Sequence, residues 1–288
     1  MRHSGSGTAY GVALLRAVER RQPADRRICD DALAERLLNR RLVSVCSAVL
    51  QTGLYGWLMP GLVEAIAVRE RAIDDVLLAR VQEGVRQVVI LGAGLDTRAY
   101  RLAELGPTTV FEVDHPASQA DKRRRLRAAQ IDSPTNLRFV AVDFETDDLT
   151  EQLDRHGYDV GARTVFVWQG VTPYLRPGAV DRTLVTITRH AAPGSVVVFD
   201  YCDPAAIQRY RRRLRATTSP SGEPFVFGIR PEDIVDFLSL RGFDDIVNLT
   251  PADLEARYLT GPNRSRRIMP LGCIVSARVA GSPGVAHG

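Results

Sequence analysis

The sequence predicts a doubly wound α/β domain with a mostly parallel, seven-stranded sheet and a helical cap ahead of it. Apolar runs of strand length alternate with segments of helical pattern, as in a chain that winds back and forth across a parallel sheet. The runs are apolar almost throughout and rich in Val and Phe, which is typical of strands buried on both faces. Segments of helical pattern precede the first run.

Five runs predict the parallel strands. Each has the length of an ordinary strand and is followed by a segment that can cross back over the sheet. They are Gln87–Leu91, Thr108–Val113, Leu137–Val142, Thr164–Gln169 and Ser195–Asp200.

Two later runs, Gly242–Leu249 and Leu271–Val279, predict the last two strands. No clearly helical crossover lies between them, and parallel strands need one. We therefore expect a pair at the sheet edge, for which an antiparallel arrangement is open.

Three segments of helical pattern precede the first strand: Thr8–Arg21, Asp30–Gln51 and Val63–Gly84. The acidic pair Asp30 and Asp31 suits an N-cap and first turn, because carboxylates satisfy free N–H groups there. We expect residues 1–84 to form the cap, residues 85–280 the core and residues 281–288 a flexible tail. The polar stretch Arg215–Asp233, rich in Pro and Gly, predicts a mobile loop beside the site.

The composition is that of a soluble globular protein of 288 residues, 45% hydrophobic and 25% charged. No apolar run approaches the ~20 residues that span a bilayer, and the N-terminus lacks the apolar segment of a signal peptide. We expect a cytoplasmic protein with no membrane partner. The four cysteines are scattered without a CxxC pair, so we expect no metal site and no disulfide.

Arginine supplies nearly all of the positive charge, and the formal net charge is +4. Two basic clusters, Lys122–Arg127 and Arg209–Arg215, are interrupted by leucine at helical spacing, which favours solvated helix faces. An RNA-binding surface is the alternative for these clusters, and we expect nucleic acid not to be a partner.

The turn after the first predicted strand contains Gly92, Ala93 and Gly94. In open α/β sheets this turn commonly contacts a phosphate or a nucleoside. The dinucleotide fingerprint GxGxxG has a third glycine, where this chain has Thr97, so the two glycines alone are a weak signal. The missing glycine argues against a nicotinamide oxidoreductase, which remains an alternative of another class.

The second predicted strand ends with Glu112 and Asp114, 20 and 22 residues after Gly92. A carboxylate at this distance lies at the tip of the neighbouring strand and can accept both ribose hydroxyls. We favour Asp114 for that role. Its alternative is the N-cap of the helix that begins near Pro116.

Four motifs occur in order along the chain: "VVILGAGLDTRAYRL", "FEVDHP", "VAVDFETDDL" and "VFVWQGVTPYL". In this order and spacing they closely resemble the leucine carboxyl methyltransferase family, in particular its bacterial branch of S-adenosylmethionine-dependent methyltransferases. The resemblance extends from "SGTAYGVALLRAVE" to "GEPFVFGI" and covers most of the chain. It implies a class I methyltransferase core, which is Rossmann-like, and S-adenosylmethionine as the cofactor.

The resemblance implies contacts for each part of the cofactor. Arg69 falls at the arginine that pairs with the methionine carboxylate, with Arg71 as its rival, because a guanidinium can bind a carboxylate through two bonds. Arg16 matches less securely a basic residue that the family brings from its N-terminal cap.

The remaining cofactor contacts follow the strand ends. The backbone of Gly92, Ala93 and Gly94 would approach the methionine and ribose, and Asp114 would take the ribose hydroxyls. Asp143 and Phe144 match the pair of residues at the adenine, a carboxylate for the exocyclic amine and an apolar contact with the ring.

Gln169 is a departure from the resemblance, because the family commonly has Glu at this position. An amide keeps an acceptor for the methionine ammonium but loses the negative charge, and a charged hydrogen bond is worth ~1.5–3 kcal/mol against ~1 for a neutral one. We expect weaker cofactor binding or a changed acceptor pocket, and we expect Gln169→Glu to keep or tighten cofactor binding. A relative that binds the nucleoside without turnover is also open.

Tyr174 lies in the loop that leaves the fourth predicted strand, where its hydroxyl could face the acceptor. A packed aromatic with one satisfied hydroxyl is the equal alternative. Together with Gln169 it is our candidate for a catalytic role.

The chemical class of the methyl acceptor is indicated by the absence of an evident base in the sequence. Of the five histidines only His115 falls near the ligand end, and it follows Asp114. A carboxylic acid is already ionised at neutral pH and needs no base, whereas a phenol profits from one. We therefore expect O-methylation of a carboxylate, which agrees with the carboxyl chemistry that the resemblance implies, with a hydroxyl acceptor as the alternative. The resemblance to the bacterial branch implies a small molecule or peptide as the acceptor, in secondary metabolism.

Overall fold

The computed structural model describes residues 7–51, 59–144, 146–217 and 225–281. Within these ranges seven strands form one sheet, and their bounds lie within two residues of the predicted runs. The strands are β1 (Gln87–Leu91), β2 (Thr109–Asp114), β3 (Leu137–Ala141), β4 (Thr164–Trp168), β5 (Val196–Cys202), β6 (Phe243–Leu249) and β7 (Gly272–Val279).

The sheet has the order β3-β2-β1-β4-β5-β7-β6. The first five strands are parallel, and β7 lies antiparallel between β5 and β6. The doubly wound, mostly parallel sheet is thus confirmed, and so is the antiparallel pair near its edge. The chain runs outward from β1 to β3 and then returns to β4, so the strand order reverses between β1 and β4, where a crevice opens at the carboxyl ends.

Eleven α-helices accompany the sheet in the described ranges. They are α1 (Gly7–Glu19), α2 (Ala32–Leu37), α3 (Arg40–Gln51), α4 (Leu62–Gln82), α5 (Arg98–Arg101), α6 (Pro116–Ala128), α7 (Leu149–Arg155), α8 (Pro177–His190), α9 (Pro204–Thr217), α10 (Ile234–Ser239) and α11 (Pro251–Tyr258).

The segment Asp30–Gln51 forms two helices instead of a continuous one. Asp31 is the N-cap of α2, and its carboxylate accepts hydrogen bonds from the backbone N–H groups of the first turn. Leu38 is extended, with φ −111° and ψ 168°. The Asn39 side chain then accepts from the N–H of Arg41 at 3.0 Å, so a new helix begins there.

Each face of the sheet buries an apolar layer. Phe111, Trp168 and Phe199 belong to one cluster of buried side chains, and Ile90 belongs to the other together with Leu77 of α4. Fully burying a side chain of this size stabilises the fold by about 1.5–3 kcal/mol. The two layers hold the strand ends in fixed register, which positions the residues that follow them.

The basic cluster Lys122–Arg127 on α6 is only in part a solvated face. Lys122 is buried, and its Nζ donates to Glu112 Oε2 and to the carbonyl oxygen of Asp96, both at 2.6 Å. The expectation of a solvated lysine was therefore wrong, because the long side chain carries its charge beneath the turn after β1. The side chains of residues 211–215 in the other cluster lie outside the described residues.

Two further predictions concern residues that the structure describes only in part. Residues 218–224 of the predicted mobile loop, and residues 282–288 of the predicted tail, lie outside the described ranges. Within those ranges, none of the helices combines the length and apolar character that crossing a lipid bilayer requires.

Candidate functional site

A cavity of about 550 Å³ lies at the carboxyl ends of β1, β2 and β4, at the point where the strand order reverses. Its walls come from α1, the turn after β1, the end of β2 and the segment that follows β4. Of the ten site residues predicted from the sequence, nine line this cavity. These are Arg16, Arg69, Gly92, Ala93, Gly94, Asp114, Phe144, Gln169 and Tyr174.

The turn after β1 needs glycine at two positions. Gly92 has φ +66° and Gly94 has φ +47°, in the left-handed region that other residues rarely adopt. A Cβ on Gly92 would also lie 2.5 Å from Cγ2 of Val171. The two glycines therefore let the chain after β4 approach the turn closely.

The N–H groups of this turn are already engaged. Those of Gly92 and Ala93 donate to the carbonyl oxygen of Val113 at 2.8 and 3.1 Å, and that of Gly94 donates to Asp114 Oδ2 at 2.6 Å. A phosphate-binding loop presents free N–H groups to its ligand. The turn thus offers close approach to an uncharged part of a ligand, which argues against a pyrophosphate and a dinucleotide.

Thr97 stands where the third glycine of a dinucleotide fingerprint would be. It is buried, and its hydroxyl donates to Asp31 Oδ2 at 2.8 Å. Asp31 is the residue that caps α2. The position therefore connects the turn to the N-terminal helices.

Asp114 ends β2 with its side chain on the cavity wall. Its two carboxylate oxygens accept from the N–H groups of Gly94 and His115 at 2.6 and 2.7 Å. Burial raises the pKa of Asp114, and these two hydrogen bonds oppose the rise. Each oxygen keeps a second lone pair for a hydroxyl donor. The N-cap of α6 is His115, so the alternative role for Asp114 is not what the structure shows.

Glu112, two residues earlier on β2, does not line the cavity. Its side chain is buried against Lys122, and burial raises the pKa of Glu112 to about 7. Because successive side chains on a strand alternate, residues 112 and 114 point to the same face. The strand ends at residue 114, so only the second of the two carboxylates reaches the open edge.

The two residues predicted to contact the adenine, Asp143 and Phe144, follow β3 and lie in different surroundings. Phe144 is 41% exposed and lines the cavity. Asp143 is the one predicted residue that is absent from the cavity wall. Its Oδ2 lies 3.8 Å from Nε2 of His115. The structure thus brings the apolar contact to the cavity and places the carboxylate beside a histidine.

Arg69 extends from α4 into the cavity wall, and its Nη1 donates to Asp200 Oδ2 at 2.8 Å. Its Nε is buried without a hydrogen-bond partner among the described residues. A buried N–H of a guanidinium is costly to leave unpaired, so this atom points to a ligand acceptor. The rival, Arg71, has a side chain that is 54% exposed and pairs with Asp75.

Arg16 reaches the cavity from α1 but is held by the protein itself. It donates to Glu70 Oε1 at 3.1 Å and to the carbonyl oxygen of Leu95 at 2.6 Å, and its Nε lies 3.5 Å from Asp31. The side chain is buried. Arg16 therefore connects α1 to α4 and to the turn after β1.

Glu70 lies at the centre of a buried charge cluster behind the cavity. Arg16, Arg98 and Arg101 all approach its carboxylate, at 3.1, 3.2 and 2.9 Å. Burial alone would raise the pKa of Glu70, but these three guanidinium groups hold it well below its usual range. Glu70 is thus ionised at neutral pH. Asp74 and Asp96 complete the cluster by pairing with Arg98.

Gln169 bridges this cluster to the cavity. Its Oε1 accepts from Arg98 Nη2 at 2.6 Å and its Nε2 donates to Glu70 Oε2 at 2.8 Å. An amide satisfies both neighbours, because a guanidinium can only donate and an ionised carboxylate can only accept. The family resemblance predicts a negative charge at residue 169. In this structure that charge lies directly behind the amide, on Glu70.

Tyr174 follows β4 in a 3₁₀ helix, Thr172–Tyr174, and lines both this cavity and a second one of about 450 Å³. Its ring stacks on Phe225, with the ring centres 5.1 Å apart. Its hydroxyl is hydrogen-bonded to Thr8, and burial raises the pKa of Tyr174 to about 12. The phenol is therefore protonated at neutral pH and available as a donor.

Sequence reasoning missed Glu70 and Asp200. Glu70 lies between the two arginines that were weighed, and Asp200 ends the fifth predicted strand. Asp200 Oδ1 accepts from the N–H of Gly170 at 2.6 Å, while Oδ2 binds Arg69. Its place at the carboxyl end of a parallel strand was the available signal.

The family model of leucine carboxyl methyltransferase matches residues 9–188. A protein of Mycolicibacterium smegmatis named "Putative S-adenosyl-L-methionine-dependent methyltransferase" is 39% identical over 205 residues, which are 69% of this chain and 68% of that protein. A protein of Mycolicibacterium paratuberculosis with the same description is 34% identical over 240 residues, 78% of this chain and 76% of that one.

Solved structures share the fold at lower identity. A Thermobifida fusca crystal structure described as a "putative methyltransferase" has a TM-score of 0.61 at 18% identity, covering 96% of each chain. A DUF574 family protein from Streptomyces avermitilis has a TM-score of 0.62 at 12% identity, covering 93% of this chain and 96% of that one. At such identities the similarity shows the fold alone.

Proposed function

The chain belongs to the leucine carboxyl methyltransferase family of S-adenosylmethionine-dependent methyltransferases, and we propose that it methylates a carboxylate oxygen of a small molecule or peptide. The observation that carries the proposal is the buried Nε of Arg69 at the junction of the two cavities, which has no hydrogen-bond partner among the residues that the structure describes. An anionic acceptor atom of a ligand would satisfy it.

The residues of the first cavity fit the cofactor. Arg69 would hold the methionine carboxylate and Asp114 the ribose hydroxyls, while Phe144 would contact the adenine. Gly92 and Gly94 leave room for close approach of the ligand to the backbone. When bound, S-adenosylmethionine supplies an electrophilic methyl group on a positively charged sulfur.

The protein would promote the transfer by position. A carboxylate oxygen of the acceptor would supply the electron pair of the new O–C bond and the displaced pair would remain on the sulfur of the cofactor, so the side chains of this protein would have no proton to move. Holding the reacting atoms ~3–3.5 Å apart on one axis is the main contribution of an enzyme to such a displacement. Tyr174 would donate a hydrogen bond to the acceptor, since its hydroxyl is protonated.

The acidic and thiol groups around the second cavity favour an acceptor that is already ionised. Both oxygens of Asp200 accept hydrogen bonds from Arg69 and Gly170. Burial raises the pKa of Cys202 and Cys273 above the ordinary value of a thiol. Among the residues described, no histidine lines either cavity. A hydroxyl acceptor would lack a ready base, and a carboxylate needs none.

Paired acceptors test the proposal. The full chain is incubated with S-adenosylmethionine and with acids and alcohols of the same carbon skeleton, and products are followed by mass spectrometry. We expect methyl esters that release methanol in mild alkali, formed at a rate that is flat from about pH 6 to 8 because the acid is ionised throughout. Methyl ethers that survive alkali, formed at a rate that rises with pH, would instead support a hydroxyl acceptor.

The setting in secondary metabolism and in the cytoplasm stays a prediction from the sequence. The resemblance to the bacterial branch of the family supports the first, and the lack of a long apolar run supports the second.

A further inference from the structure

The second cavity adjoins the first. Seven residues line both, and among them Arg69, Gly170 and Tyr174 lie where the two cavities meet the segment after β4. The other walls of the second cavity include residues of α1, α4, α11, β7 and the end of β5. A ligand there would lie next to the cofactor without sharing its space.

The lining of the second cavity is apolar. Arg69 and Asp200 are its only charged side chains within the described ranges, and they pair with each other. Most of the other walls are aliphatic, and they include Leu14, Leu15, Leu62, Ile66, Leu271 and Ile274. A peptide or sugar would lose hydrogen bonds to water there without replacement, at a cost for each buried polar group.

The size of the cavity limits the ligand. A water molecule occupies about 30 Å³ in the liquid, so ~450 Å³ is room for about fifteen non-hydrogen atoms. The head of such a ligand would lie at Tyr174, the phenolic donor at the junction, beside the Arg69 that would hold the methionine carboxylate of the cofactor.

We propose that the second cavity is the acceptor site and that it binds an apolar carboxylic acid of up to about fifteen non-hydrogen atoms, with its carboxylate at the junction and its hydrocarbon part among the aliphatic side chains. The inference rests on the proposed carboxyl methylation for its reaction. The binding of the acid can be measured separately from that reaction.

Gly11 is a position at which a substitution can fill this cavity. It lies on α1, lines the second cavity and not the first, and a Cβ built on it meets nothing within 4 Å. Gly11→Phe should therefore place its side chain in acceptor space, because its Cβ meets no neighbouring atom. Gly11→Ala is the matched control, because it also replaces the glycine of the helix but adds little volume.

The test titrates straight-chain acids of increasing length into the full chain, with and without S-adenosylhomocysteine. We expect affinity to rise about fourfold per methylene group and to level off once the cavity is full. Gly11→Phe should weaken the binding of the longest acids at least tenfold, whereas Gly11→Ala should bind them as the unsubstituted chain does. Both variants should bind S-adenosylhomocysteine with unchanged affinity, which also shows that they fold.

A second pair of variants guards against a local effect at Gly11. Ala65→Phe on α4 adds volume to the same cavity, and Ala79→Phe on the same helix lies outside both cavities. The first should weaken acid binding and the second should not.

Two results would overturn the inference. One is acid affinity that is the same in Gly11→Phe and in Gly11→Ala, and the other is equal binding of alcohols or amides and of acids of the same length. If acid binding depends on Gly11 but no methyl ester forms, the second cavity is still the binding site of the acid. The proposed methyl transfer to a carboxylate would then be wrong. The two proposals can therefore fail separately.

Discussion

The side chain of Gln169 donates to Glu70 Oε2 across 2.8 Å, so an amide and a buried carboxylate lie together behind the first cavity. Arg98 donates to the other end of the same amide at 2.6 Å. The cluster therefore contains the negative charge expected for this site on α4 instead of at the end of β4. This arrangement changes what a glutamate at residue 169 would do.

Gln169→Glu should lower the stability of the fold and weaken cofactor binding. The sequence alone leads us to expect that this change keeps or tightens cofactor binding. The new carboxylate would still accept from Arg98, but it would face the carboxylate of Glu70 in place of an amide donor, and such a like-charge contact costs several kcal/mol. We expect lower thermal stability and weaker binding of S-adenosylhomocysteine, measured by calorimetry. The double variant Glu70→Gln, Gln169→Glu restores one charge and one amide, and it should recover most of the loss. A double variant as unstable as the single one would contradict this account.

Arg69→Ala should lower the affinity for S-adenosylhomocysteine by about 2 kcal/mol or more, because the ligand carboxylate would lose its charged partner. Arg71→Ala is the control, since its side chain is mostly exposed and pairs with Asp75 on the same helix. Titration calorimetry on both variants gives the comparison. Equal dissociation constants for the two would remove Arg69 from the cofactor site.

Asp114→Asn should lower cofactor affinity at least tenfold, since a charged hydrogen bond to a hydroxyl is worth about 1.5–3 kcal/mol. Asp143→Asn should have a smaller effect, because Asp143 lies off the cavity wall, beside His115. Binding of S-adenosylhomocysteine and of adenosine to each variant distinguishes the two positions. If Asp143→Asn loses more cofactor affinity than Asp114→Asn, the main polar contact with the cofactor would instead lie at the end of β3.

Lys122→Met should destabilise the fold in a pH-dependent way. The buried Glu112 would lose its charged partner, which costs about 3–5 kcal/mol when the carboxylate is ionised. The pKa of Glu112 is about 7 with Lys122 present, and Lys122 lowers it, so the group is mostly protonated at pH 5.5 in both chains, whereas at pH 8 the unsubstituted chain gains an ionised pair that the variant lacks. Urea unfolding should therefore show the larger loss at pH 8.

The stability of the unsubstituted chain should also fall as pH rises, but by a smaller amount. A carboxyl whose pKa is raised from an ordinary ~4.3 makes the folded state bind more protons between that value and about 7. Its contribution to stability thus falls as pH rises through this window. A destabilisation by Lys122→Met that is equal at both pH values would mean that Glu112 does not titrate there.

The strands and the site edge could be predicted from the sequence for a physical reason. Strands buried on both faces must be apolar at nearly every position, so β1 and β4 stand out as unbroken runs. Since parallel strands end at one edge, the residues that follow them, such as Asp114 and Gln169, converge without any knowledge of side-chain contacts.

The partners of these residues could not be predicted in the same way. Arg69 meets Asp200 across 131 positions of the chain, and no local pattern specifies which charges meet at that separation. The second cavity was missed because its aliphatic walls have the same composition as a packed core. The buried Lys122 was missed because its neighbours on α6 are solvated arginines.

The helix α1 lines both cavities, but not with the same residues. Tyr10 and Val12 face both, whereas Gly11, Leu14 and Leu15 face only the second. If the second cavity is the acceptor site as proposed, substitutions at these last three positions should alter acceptor preference while leaving the cofactor contacts in place. Diversification of acceptor range among descendants of this chain, or in a directed-evolution library, should therefore include one stripe of this helix.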